Sequence, residues 1–127
     1  MEDNRPRNID IPSVISYDLP LPGITSILHR ISGAFIFIAI PFLLWGLGLS
    51  LESPEGFATV KDVLNGFLPK LILWAILSGL IFHFVAGIKH LFMDMGIGET
   101  LEGVNVAAKL VVVVSGALIL LAGYWIW

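Results

Sequence analysis

The sequence predicts an all-α integral membrane protein with three transmembrane helices. Of its 127 residues, 57% are hydrophobic and 13% are charged, and the mean hydropathy is +0.91. A typical soluble domain has about 25% charged residues. Three apolar segments reach the roughly 20 residues that a helix needs to cross a bilayer, namely 31–51, 67–93 and 110–127. The period-two alternation of a membrane β-barrel is missing, so each segment is predicted to be a helix.

The first helix is predicted over about 24–51. Pro20 and Pro22 precede it, and proline both lacks a backbone N–H and disfavours helical conformation in the residue before it. The chain therefore divides into a cytoplasmic N-terminal segment, 1–23, and a three-helix transmembrane domain, 24–127.

The second and third helices are predicted over about 67–93 and 107–127. Between the first two helices, the turn-forming run 53–56 and the charged pair Lys61 and Asp62 predict a polar, solvated connection. The absence of cysteine excludes disulfides and thiolate ligands, but not iron held by nitrogen. Too few residues remain for a soluble domain, and the net charge of −3 gives no indication of nucleic-acid binding.

Lysine and arginine are distributed unequally between the two predicted sides of the membrane. Cytoplasmic loops carry an excess of these residues. Five lie on the side of the N-terminus and two on the opposite side: Arg5, Arg7, Arg30, Lys89 and Lys109 against Lys61 and Lys70. We therefore expect a cytoplasmic N-terminus. The N-terminal residues lack the features of a signal or transit peptide, which favours direct insertion into a bacterial inner membrane.

His83 lies within the second apolar segment, where an ionisable residue is a functional-site hypothesis by default. The residues at steps of four, three and four from it share one helix face, which consists of His83, Gly87, His90 and Asp94. An imidazole in an apolar pocket suits a haem-iron ligand, and glycine one turn away would leave space for a flat macrocycle. The alternative is a structural histidine that is hydrogen-bonded to a neighbouring helix.

A second polar cluster lies at the predicted cytoplasmic end of the first helix and contains Ser26, His29, Arg30 and Gly33. Serine and arginine donors suit a quinone carbonyl, and arginine or histidine suits haem propionates. The alternative is that Arg30 only extends to lipid headgroups. Because the second helix runs back toward the cytoplasm, His83 and His90 are expected at a similar depth.

One chain of this kind does not supply both axial ligands of a six-coordinate haem. Two imidazoles on opposite faces of a porphyrin place their nitrogens about 4 Å apart, at roughly 2 Å per bond. His83 and His90 are separated by about 10 Å along one helix face. His29, on another helix, could in principle bind the same iron, but it lies nearer the membrane boundary, beside Arg30, where a propionate contact suits it better. We therefore expect the second ligand from another subunit.

The two polar clusters belong to the longer stretches 26–33 (SILHRISG) and 83–94 (HFVAGIKHLFMD), and two further stretches are Arg5-Pro6 and 53–57 (SPEGF). Together they resemble the cytochrome b membrane-anchor subunit of bacterial succinate dehydrogenase, over nearly the whole chain. The resemblance implies a heterotetramer with a flavoprotein, an iron–sulfur protein and a second three-helix anchor. Electrons from succinate would pass through FAD and iron–sulfur clusters to ubiquinone, and succinate oxidation would occur in another chain.

The resemblance also implies roles for the matching residues. His83 would be an axial ligand of haem b, with the other ligand from the partner anchor. Ser26 and Arg30 would bind the quinone, with Ile27 as an apolar wall of that site. The remaining contacts to the haem would come from His29, Arg30 and His90.

Two positions depart from the family pattern. Lys89 stands where relatives often have arginine and so lacks a planar, bidentate donor. The segment 7–20 lacks the Ser-Pro-His run of many relatives.

Three other functions remain open as alternatives to a succinate dehydrogenase anchor. They are a fumarate reductase anchor, a haem-free structural anchor for a peripheral dehydrogenase, and a b-type cytochrome that serves another dehydrogenase.

Overall fold

The computed structural model describes residues 18–127, and that part of the chain is helical without a strand. Its four helices are α1 (Leu21–Glu52), α2 (Pro54–Leu64), α3 (Phe67–Asp94) and α4 (Leu101–Ile126). Within the described range, α1, α3 and α4 are long and apolar enough to cross a membrane. The predicted all-α transmembrane fold is therefore confirmed. Arg5, Arg7 and most of the segment 7–20 lie outside the described residues.

Two of the long helices begin before their predicted starts. Pro20 is extended and caps α1, so Pro22 falls in the first turn, where a missing N–H costs nothing. In α4, the Thr100 hydroxyl accepts a hydrogen bond from the Gly103 N–H at 3.0 Å, and Glu102 complements the helix dipole. The local cap therefore places the start of α4 at Leu101, whereas the sequence pattern predicts a start near residue 107.

The predicted polar connection between the first two membrane helices forms the short helix α2. Ser53 caps it by accepting a hydrogen bond from the Gly56 N–H at 3.0 Å, and Pro54 occupies the first turn. A Cβ atom at Gly56 would collide with the carbonyl oxygen of Leu49 at the end of α1. Glycine therefore lets α2 fold back closely against α1.

Helix α3 packs against both α1 and α4, which also contact one another. Apart from Lys89 on α3, the buried residues of these three helices are small: Thr25, Ser32 and Ala39 on α1, Ala86 on α3, and Ala108, Val111 and Ser115 on α4. Small side chains allow close approach of helices where lipid supplies no hydrophobic driving force between them. Large apolar residues point outward on all three helices, as a lipid-facing or subunit-facing surface requires.

Candidate functional site

The α1–α3 interface joins His83 of α3 to one turn of α1 through hydrogen bonds. His83 Nδ1 lies 3.0 Å from the carbonyl oxygen of His29 and 3.2 Å from Ser32 Oγ. The Ser32 hydroxyl itself donates to the same His29 carbonyl at 2.8 Å. Since a carbonyl can only accept, Nδ1 is the protonated nitrogen of His83 and donates its hydrogen to α1.

Glycines on both helices make this close approach possible. A Cβ atom at Gly33 of α1 would lie 2.9 Å from His83 Cε1. On α3, a Cβ atom at Gly79 would lie 2.9 Å from the Phe35 ring. Each helix thus presents a ring to a glycine of the other, and the Gly33 contact sets the position of His83.

The structure brings together the three histidines of the chain, which we call the histidine cluster (His29, His83 and His90). The rings of His29 and His83 stack with centroids 4.2 Å apart and planes 13° from parallel. The His29 and His90 centroids are 5.0 Å apart. His29 Nε2 is buried and has no hydrogen-bond partner within residues 18–127. A buried polar atom of this kind is costly unless something else satisfies it.

Gly87 lies beside His29 in this arrangement. A Cβ atom at Gly87 would lie 3.5 Å from His29 Nε2, which is an ordinary contact distance. The sequence pattern predicts that the missing side chain leaves space for a macrocycle, whereas in the structure the nearest group to that space is the His29 ring.

The predicted quinone-site residues lie on α1 beside the histidine cluster. Ser26 is half-buried, and Ile27 and Arg30 are exposed. Within residues 18–127, Ser26 and Arg30 make no side-chain hydrogen bond or ion pair.

The sequence does not predict the contact between Ser32 and His83 or the burial of Lys89. Ser32 is 8% exposed and contacts His83. Its only signal in the sequence is that a small polar residue stands beside Gly33 in an apolar helix. Lys89 is 9% exposed and lines a cavity of about 740 Å³ between α3 and α4, with Glu102 also at its wall.

Over the described range, no three His, Cys, Asp or Glu side chains converge as a metal-ion site.

The fold and the histidine cluster together define a small helical membrane subunit with a polar site between two of its spans. The chain belongs to the succinate dehydrogenase/fumarate reductase transmembrane subunit family, whose model matches residues 1–122. This match confirms the resemblance drawn from the sequence motifs.

Curated relatives agree with that family. The chain is 40% identical over 129 residues to the succinate dehydrogenase cytochrome b556 subunit of Coxiella burnetii, and the match covers all of both chains. It is 34% identical over 117 residues to the cytochrome b556 subunit of Paracoccus denitrificans, covering 92% of this chain and 86% of the relative. A mitochondrial cytochrome b560 subunit of Dictyostelium discoideum is 28% identical over 99 residues, which are 76% of this chain and 48% of the relative.

Proposed function

We propose that the chain is the haem-binding anchor subunit of a bacterial succinate dehydrogenase. It binds haem b jointly with a second three-helix anchor and forms part of the site where ubiquinone receives electrons from the iron–sulfur subunit. Succinate is oxidised in the FAD-containing flavoprotein subunit. The observation that carries the proposal is the hydrogen-bonded Nδ1 of His83, which leaves Nε2 for a metal.

The residues of the cluster fit a haem group. Histidines that bind metal almost always donate their other ring N–H to a carbonyl, a carboxylate or water, and His83 donates to a carbonyl. The buried, unpartnered Nε2 of His29 would be satisfied by a polar group of the ligand, such as a propionate. When bound, haem b supplies a one-electron carrier close to the quinone residues.

A second nitrogen ligand for the haem iron would come from the partner anchor. The His29 and His83 rings stack face to face with centroids 4.2 Å apart, which leaves no space for a haem between them. His29 and His90 are therefore assigned to the haem periphery. His83 alone is assigned to the iron.

Ser26, Ile27 and Arg30 form the contribution of this chain to the quinone site. The Ser26 hydroxyl and the Arg30 guanidinium orient a quinone carbonyl, and Arg30 stabilises the negative charge that develops during reduction. Arginine does not release its proton in proteins, so the proton comes from water or from a partner chain. Ile27 supplies an apolar wall.

The proposed assembly sits in a bacterial inner membrane with the N-terminus in the cytoplasm. The flavoprotein and iron–sulfur subunits dock on the cytoplasmic side, and the exposed apolar residues of α1 and α3 face the second anchor. A fumarate reductase anchor is the alternative that the family description itself includes. The preferred quinone and the direction of catalysis in the purified complex separate the two.

The haem assignment is tested by a dithionite-reduced minus oxidised visible spectrum of the intact complex. We expect a low-spin b-type signal in the wild type that disappears or becomes high-spin in His83→Leu. His90→Leu is the matched control, since it removes an imidazole of the same cluster and should keep the low-spin signal. A wild-type complex without haem would favour the structural anchor instead.

The quinone assignment is tested by Arg30→Leu. We expect quinone reduction to fall by at least about tenfold, because removing one electrostatic donor typically costs 10²–10³ in rate at sites where it is fully engaged. Succinate oxidation with an artificial acceptor should remain at the wild-type level. Equal loss of both activities would mean that the complex fails to assemble.

A further inference from the structure

We infer that Ser32 is a positioning residue for His83, acting together with the His29 carbonyl to fix the tautomer and orientation of the imidazole. This inference rests on the proposed function, in which His83 binds the haem iron. Ser32 binds neither haem nor quinone in that proposal. Its role is exerted through His83 alone.

The contacts of Ser32 support this role. Its hydroxyl donates to the His29 carbonyl at 2.8 Å, so the hydroxyl oxygen is free to accept from His83 Nδ1 at 3.2 Å. The His83 N–H is thus shared between two acceptors that are themselves joined by a hydrogen bond. Ser32 is almost fully buried, where little water competes for these bonds.

The ring of His83 is held from a second direction by Gly33. A Cβ atom at Gly33 would lie 2.9 Å from Cε1, the carbon between the two ring nitrogens, so the ring sits close to α1 only because residue 33 has no side chain. Rotating the ring about its Cβ–Cγ bond would break the hydrogen bonds at Nδ1. Ser32 therefore holds the His83 ring by a polar contact, and the adjacent Gly33 gives the ring the space that it occupies.

The chemical consequence is an imidazole whose hydrogen on Nδ1 is held by α1, which leaves Nε2 for the metal. A hydrogen bond donated from the far nitrogen makes the ligating nitrogen more basic, which favours the oxidised, more positively charged metal. Losing the Ser32 acceptor should therefore raise the midpoint potential of the haem. The His29 carbonyl would remain as an acceptor, so ligation itself should survive.

The test is a redox titration of the reduced b-type absorbance in the intact complex carrying Ser32→Ala. We expect the low-spin spectrum to remain while the ratio of reduced to oxidised haem at fixed potential rises about threefold, the effect of one typical side-chain hydrogen bond in a membrane protein. Ser32→Thr restores the hydroxyl and should restore the potential. Ser115→Ala removes a buried serine whose hydroxyl bonds only to its own helix, and should leave the potential unchanged.

A wild-type potential in Ser32→Ala overturns the inference. If Ser32→Ala prevents assembly, Ser32→Cys is the second variant, since a thiol has the connectivity of the serine hydroxyl but accepts a hydrogen bond only weakly. A wild-type potential in that variant overturns the inference equally. Failure of the proposed function is a separate result. It would appear as a haem signal that survives His83→Leu unchanged, or as no haem signal in the wild type.

Discussion

The two interfaces of α3 differ in how their polar groups are satisfied. Toward α4, the Trp74 indole N–H donates to the Ile119 carbonyl at 3.0 Å and lies over Gly123. Trp127 packs edge-on against the same indole, with ring centroids 6.1 Å apart. Toward α1, by contrast, the interface holds a stack of imidazoles and a buried nitrogen that has no partner within residues 18–127.

The two interfaces thus differ in whether their buried polar atoms find partners within residues 18–127. Both use a ring packed against a glycine of the neighbouring helix, so packing alone does not distinguish them. The polar atom of Trp74 is satisfied inside the chain, and nothing further is needed there. In the α1–α3 interface, His29 Nε2 is buried without a partner within residues 18–127, as the proposed cofactor site requires.

Among the variants that compare the two interfaces of α3, the largest predicted effect is that of Gly33→Ala on haem content. The new methyl group would lie 2.9 Å from His83 Cε1, so either the ring or the helix must move. Overpacking of this kind costs about 1–3 kcal/mol, which corresponds to roughly a fivefold or greater loss of haem per complex. Haem content is measured by the pyridine haemochrome spectrum against protein concentration.

The matched control for this change is Gly116→Ala on α4, where a methyl group would meet nothing within 4 Å. That variant should retain the wild-type haem content. Full haem content in Gly33→Ala would show that His83 does not depend on its contact with α1, and the comparison between the two interfaces would lose its basis.

A smaller effect is predicted for Trp74→Phe in the α3–α4 interface. The change removes the hydrogen bond to Ile119 and should destabilise the protein by about 0.6–1 kcal/mol, since interhelical hydrogen bonds in membranes are worth about this much. The melting temperature of the detergent-solubilised complex should fall by a few degrees. The haem spectrum and potential should stay as in the wild type, and a changed potential would mean that the two interfaces are coupled.

The three membrane spans are the part of the fold that the sequence predicts best, because apolar length alone indicates them. The sequence also singles out His83, because an imidazole is costly within an apolar span, but its role as a haem ligand stays a prediction. Helix α2 and the early start of α4 depend on single capping hydroxyls at Ser53 and Thr100, which apolar periodicity does not detect.

Contacts between helices were the least predictable features. Ser32 and Trp74 acquire their roles only when α1 and α4 are docked against α3, because each bonds to a residue at least 45 positions away in the sequence. The register between helices depends on which glycine faces which ring. Neither helical periodicity nor composition specifies that pairing.

The smallest effect is predicted for Gly87→Ala, which compares the glycine beside His29 with the glycine beside His83. A methyl group at Gly87 would lie 3.5 Å from His29 Nε2, an ordinary contact, whereas at Gly33 it would press on His83. We therefore expect haem content in Gly87→Ala to stay within about 20% of the wild type, since a fitted methyl group adds little strain. The same pyridine haemochrome measurement applies. A loss as large as that of Gly33→Ala would mean that Gly87 makes room for the haem, and that His29 moves away from the position it occupies here.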